Sequence, residues 1–227
     1  MGLRDILTGR HAVSGPAPEK LFAISTAYIA LETEHSIQPT GAAAIVFQPL
    51  ATSDFESTMR EMEAVVTATG ADSGTTVASQ NDAFGYRWMV VRNAPGQPSV
   101  EDLAVAINAV SDSIESGGHG ERLLCAVFAF QQAPEGAPVG GEPGQAGAAA
   151  DVPSWASDLS SGALTPGAGR VYFIYNYKRG YWYPFVPAAG DQQRSTEREL
   201  QLKAQMSGEL PIEPELDRWF PLWGIPI

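Results

Sequence analysis

Cysteine occurs once in this chain of 227 residues, at Cys125. One thiol cannot close an internal disulfide, so the fold has no covalent staple to lean on. Cys125 lies in Leu123-Leu124-Cys125-Ala126-Val127-Phe128, which reads as a buried strand, whereas a low-pKa nucleophilic thiol needs charged, partly exposed surroundings. Lysine is nearly as scarce. Lys20, Lys178 and Lys203 are the only three, and 14 basic residues face 26 acidic ones, for a net charge of −12. Nucleic-acid binders need a basic face to release counterions, so this balance argues against such a partner. The three histidines, His11, His35 and His119, have no second His or Cys at metal-ligand spacing. No run approaches the roughly 18 apolar residues of a membrane helix, and residues 1–20 lack the apolar core and cleavage site of a signal peptide. These absences point to a cytoplasmic protein.

Motifs of common enzymes are missing too. No Gly-rich loop follows a strand and opens a helix, and there is no G-x-S-x-G elbow. Glu32, Glu34 and His35 are the nearest thing to a cluster. On a strand Glu32 and Glu34 share a face and would offer two oxygens to a cation, although a solvated strand end explains them as well. Glu213 and Glu215, with Asp217, would work as glycosidase-like carboxylates only if the fold gathered them. No catalytic, metal-binding or cofactor-binding residue emerges, and the chain reads as non-enzymatic.

What is present is an ordinary globular composition, 44% apolar and 18% charged, in a length that suits one domain. Met1–Leu7 carries Leu3, Ile6 and Leu7 on one helical face, a pattern that suits a short membrane-touching or partner-docking helix. Pro18–Ile24 reads as a short helix. Thr26–His35 and Ala42–Gln48 read as strands of a hairpin around an Ile37–Gly41 turn. Ser53 and Glu56 form a capping box for a helix whose apolar stripe is Phe55, Met59, Met62 and Val66. Thr75–Gln80 and Tyr86–Arg92 read as strands. A second striped helix follows from Ser99, with Leu103, Ile107, Val110 and Ile114. Leu123–Phe130, apolar on both faces, should be central in its sheet. The expected fold is α+β: a mostly antiparallel sheet with the striped helices on one face. Two successive ββα units, Thr26–Gly70 and Thr75–Gly117, suggest a pseudo-repeat.

Three stretches divide the chain: a core over 1–132, an Ala/Gly/Pro-rich linker over 133–169, and a closing unit over 170–227 that completes the same domain. More than half of the aromatic side chains lie in the closing unit. It opens with the hairpin Val171–Val186, turning at Lys178-Arg179-Gly180 with glycine in the left-handed position. Pro184 confines the returning strand to an edge. A helix over Arg194–Met206 and a Pro-rich tail with Trp219, Phe220, Leu222 and Trp223 follow. Aromatic–Arg patches are typical of protein interfaces. The candidate partner-binding residues are therefore Lys178 and Arg179 at the tip, with Tyr177, Tyr181 and Trp182, plus Trp219 and Trp223 where exposed.

The order of Tyr177-Lys178-Arg179-Gly180, Tyr183-Pro184-Phe185, a charged helix, Gly208-Glu209-Leu210-Pro211 and Trp219–Gly224 resembles the PspA-associated protein family PspAB. Met1-Gly2-Leu3-Arg4-Asp5 and Gly9-Arg10 are similar as well. The likeness is loose over the whole length and specific in the last third, and nothing is carried onto 133–169. It implies a small cytoplasmic protein of the phage-shock, or envelope-stress, system built on the membrane-remodelling protein PspA. A membrane metalloprotease of the HtpX kind is often associated with it. It implies no catalytic residues. The reading is an adaptor or regulator that contacts PspA or an HtpX-like protease, at the inner face of the membrane if Met1–Leu7 touches it. A chaperone-like domain that holds a client segment is the alternative, and an uncharacterised hydrolase the second one.

Overall fold

A computed structural model of the chain describes residues 18–70, 74–133 and 169–227. The helix expected at Met1–Leu7, and the linker expected over 133–169 apart from its two end residues, lie outside the described residues. The elements in order are α1 (Pro18–Phe22), α2 (Ile24–His35), β1 (Ile37–Phe47), α3 (Ser53–Gly70), β2 (Thr76–Asn81), β3 (Arg87–Arg92), α4 (Val100–Ser116), β4 (Leu123–Gln132), β5 (Arg170–Asn176), β6 (Tyr181–Phe185) and α5 (Thr196–Met206). The strands form one sheet in the order β2-β3-β1-β4-β5-β6, and every neighbouring pair is antiparallel. The fold is α+β, as the residue patterns suggest. No helix among the described residues is long and apolar enough to cross a membrane.

One expected strand is a helix. Thr26–His35 belongs to α2, so it makes no hairpin with Ala42–Gln48, and the ββα pseudo-repeat fails because its first unit is α2–β1–α3. Apolar residues stand at most positions from Ile24 to Leu31, so both a two-residue and a helical period can be traced through them. Burial selects the second: Ile24, Ala27 and Leu31 are enclosed while Ile29 is half exposed. Ser36, in the left-handed conformation, ends the helix. The chain then enters β1 directly. Ile37–Gly41, expected as a turn, is the first part of that strand. Its turn chemistry survives as an irregularity: the register against β4 shifts between Pro39 and Ala43, and Gly41 adopts φ 72°. A proline without an N–H and a left-handed glycine are accommodated by such a bulge.

The helical stripes behave as expected. Phe55, Met59, Met62 and Val66 of α3, and Leu103, Ile107, Val110 and Ile114 of α4, are buried against one sheet face with Ile45, Met89, Phe128 and Phe173. Ser99 caps α4 by accepting the Asp102 amide at 3.1 Å. The α3 cap sits one residue earlier than expected: Thr52 accepts the Phe55 amide at 3.3 Å, and the Glu56 carboxylate pairs with Arg87 instead. Leu123–Gln132 is central, flanked by β1 and β5. Cys125 is buried, and burial pushes its thiol up to about 12, which makes it inert at neutral pH.

Among the described residues, no α-helix packs on the opposite sheet face. Val46, Trp88, Val90, Val127, Ile174 and Phe185 are covered there by the tail, through Trp219, Leu222, Trp223, Ile225 and Ile227. Prolines deny the tail a regular ladder, so side chains grip its carbonyls. Arg194 donates to Trp219 O at 2.9 Å, Tyr183 to Phe220 O at 3.1 Å, Arg92 to Pro226 O at 2.9 Å and Tyr172 to Ile227 O at 3.1 Å.

Candidate functional site

The turn between β5 and β6 is held by Asn176. Its carbonyl accepts the amides of Arg179 at 3.2 Å and Gly180 at 2.8 Å, and its side-chain oxygen accepts the Lys178 amide at 3.0 Å. Gly180 has φ 67°. That left-handed conformation favours glycine, and Lys20 Nζ of α1 lies 3.4 Å from where a Cβ would stand.

Each candidate residue has a definite place. Lys178 is exposed. Arg179 forks onto Glu213, with one bond of 3.1 Å, and reaches Glu215 at 3.2 Å. Glu215 also accepts from Arg218 at 2.8 Å. The Glu213 hydrogen bond, outweighing a desolvation cost, holds the Arg179 guanidinium above its ordinary pKa. The Arg218 hydrogen bond, aided by Arg179, holds the Glu215 carboxyl below its own. Tyr181 is half-buried between two cations, Lys20 Nζ at 5.2 Å and the Arg179 guanidinium at 6.0 Å from its ring centre. The remaining aromatics face inward. Tyr177 is buried edge-on to Tyr175. Trp182 is fully buried, its indole N–H donating to Lys20 O at 2.7 Å. Trp219 stacks on Tyr183 and donates to Glu213 O at 3.1 Å. Trp223 is half-buried against Phe185. Of the candidate residues at this turn, Lys178, Arg179 and Tyr181 are thus the ones that reach the surface. Tyr177, Trp182 and Trp219 hold that surface from below.

Two contributors escaped the sequence reading. Lys20, from α1, lies against Tyr181. Lys203, from α5, donates to Pro214 O at 3.2 Å and covers the Trp219 ring at 5.6 Å. Two of the three lysines of an acidic chain, Lys20 and Lys178, therefore stand at this turn, while Lys203 lies against the tail. Their scarcity was the available signal. The acids fall elsewhere than a catalytic reading would have them. Glu213 and Glu215 are arginine partners. Glu32 and Glu34 stand in the last turn of α2, where two residues apart means nearly opposite sides rather than one face. His119 lies 3.6 Å from Asp54 and edge-on to Phe55. Among the described residues no group of three or more His, Cys, Asp or Glu is placed to hold a metal ion.

The family model PspAB, PspA associated protein B, matches residues 1–227, the whole chain. No curated protein and no solved structure matches.

Proposed function

The chain belongs to the PspA associated protein B family, and we propose that it serves as a non-enzymatic adaptor or regulator working by protein–protein contact. Membership fits an accessory role in the PspA system. The observation that carries the finer reading is the placement of Lys20 and the exposed Lys178 at a hydrogen-bonded turn, with Tyr181 between Lys20 and Arg179, on a chain of net charge −12. A fixed basic spot with a half-exposed tyrosine suits an acidic patch on a partner, because charge complementarity sets orientation and specificity. The partner in this reading is PspA itself or an HtpX-like membrane protease, met on the cytoplasmic side in an envelope-stress response. A client-holding sheet face is less well supported, since the tail already packs on the face that no described α-helix covers.

The reading is tested by titrating purified PspA from the same organism into the full-length chain. Binding should weaken by about tenfold for Lys178→Glu and for Tyr181→Ala, and should weaken with added salt. Wild-type binding that neither substitution alters would remove the tip as the contact. A lack of any binding to PspA would leave the protease as the partner to test, and failure there as well would overturn the adaptor reading.

A further inference from the structure

The two edges of the sheet are built differently. At the β6 edge, Pro184 withdraws one donor, and the segment around Ile212 pairs with Trp182: the Trp182 amide donates to Pro211 O at 2.9 Å and the Glu213 amide to Trp182 O at 2.8 Å. The β2 edge has no such cover among the described residues. β2 is an outermost strand of the sheet, and five of its six residues are exposed. Its sequence, Thr76-Val77-Ala78-Ser79-Gln80-Asn81, contains no charge, no proline and no glycine. Its register against β3 runs through six consecutive pairs without a bulge. Charges, prolines and bulges are the usual guards against strand addition, and an edge that lacks them is a template for another strand.

We propose that β2 pairs antiparallel with β2 of a second copy of this chain, across a two-fold axis through Ala78 or its neighbour Ser79. A two-fold contact sets each residue against a residue from the same strand. On a chain with 26 acidic residues most surfaces would bring like charges together. This strand brings only hydroxyls, amides and small apolar groups: with the axis at Ala78, Thr76 meets Gln80 and Val77 meets Ser79. Such pairs stabilise a ladder, while like charges set opposite one another destabilise it. The adjoining turn adds apolar surface. Phe84 is 61% exposed, yet its backbone is fixed, because Asp82 accepts the amides of Phe84 at 2.8 Å and Tyr86 at 2.9 Å and the Trp88 indole N–H at 2.9 Å. In the antiparallel arrangement this turn lies beside the beginning of the other copy's β2. The pairing is independent of the basic end, which belongs to the opposite edge.

The test is the solution mass of the full-length chain by sedimentation velocity over a wide concentration range. A dimer is expected, and Ala78→Lys should weaken its association by about tenfold or more through the charge it sets at the axis. Ala78 is exposed, so at concentrations where both proteins are monomeric the variant should keep the wild-type unfolding midpoint. A second approach does not depend on that variant. Ala78→Cys or Ser79→Cys should yield a disulfide-linked dimer under mild oxidation, with the buried Cys125 silent. A chain that stays monomeric at every concentration would overturn the proposal. So would a dimer indifferent to Ala78→Lys that neither cysteine cross-links, or capture of β2 by a different protein's strand instead.

Discussion

Among the described residues the β6 end of the sheet is closed and the β2 end is open, although both are edges of the same antiparallel ladder. At the closed end large aromatics, ion pairs and a chain segment combine. Trp182 packs against Phe128 and Tyr175 with ring centres 5.6 and 5.2 Å away. The fully buried Glu199 accepts the Val186 amide at 2.9 Å and holds Arg194. At the open end the side chains of β2 are uncharged and mostly exposed, and one carboxylate, Asp82, organises the adjoining turn. The difference teaches that stability and availability are kept apart in this fold. Changes at the closed end should unfold the protein, and changes at the open end should leave it folded.

The largest expected effect is Trp182→Ala. It would leave a cavity beneath the hairpin and an unmet Lys20 carbonyl, and should cost about 3–5 kcal/mol by urea unfolding. A loss below about 1 kcal/mol would mean that the closed end is not the stabilising one. Glu199→Ala comes next. It would strand the Val186 amide and a partly buried Arg194, at a cost of about 3 kcal/mol in thermal unfolding. Glu199→Gln, which keeps an acceptor for Val186, should cost less. If the two cost the same, charge rather than the hydrogen bond holds the site.

A smaller effect is expected at Asp82, and it depends on pH. Burial works against ionisation of this carboxyl, but the hydrogen bonds from the Trp88 indole and the amides of Tyr86, Phe84 and Gly85 prevail and hold its pKa below the ordinary aspartate value. A depressed folded pKa contributes stability that is present above the unfolded value, about 3.9, and is lost as pH falls through the folded one. The Phe84 and Tyr86 amides should therefore lose protection from hydrogen exchange below about pH 4 while those of β4 do not. Asp82→Ala should abolish that dependence and cost about 1–2 kcal/mol locally at neutral pH. Equal loss of protection in β4 would show that the hairpin does not open on its own.

The same contrast explains what the residues disclosed in advance. The stripes on α3 and α4, the central β4, and the turn at Gly180 rest on strong local signals: a repeat of 4, 3 and 4, an apolar run, and a glycine needed at positive φ. The misreading of Thr26–His35 comes from a segment whose apolar residues fit two periods, and only contact with the sheet chooses between them. The candidate surface was legible in part. Lys178 and Arg179 were placed by the turn, but the pairing of Arg179 with Glu213 joins residues 34 apart along the chain, and no local pattern predicts it. Burial of Trp182 and Trp219 was equally hidden, because an aromatic strand reads alike whether it faces a partner or its own tail. The openness of β2 was written in the sequence as missing charge and missing proline, but that absence gains meaning only once β2 is known to be an edge.

The smallest expected effect on stability falls on the most exposed of the large apolar side chains among the described residues. Phe84→Ala removes a ring that is 61% exposed from a turn whose backbone is held by Asp82 and by Gly85 at φ 87°. Little packing is lost, so the unfolding free energy should change by less than about 0.5 kcal/mol. The ring carries apolar area into the contact between copies, where buried aromatics commonly dominate the energy. Self-association measured by sedimentation should therefore weaken by several-fold while the urea midpoint, taken at concentrations where the chain is monomeric, stays fixed. A variant that shifts the urea midpoint and leaves association unchanged would invert the comparison, making Phe84 part of the fold and the open end a second closed one.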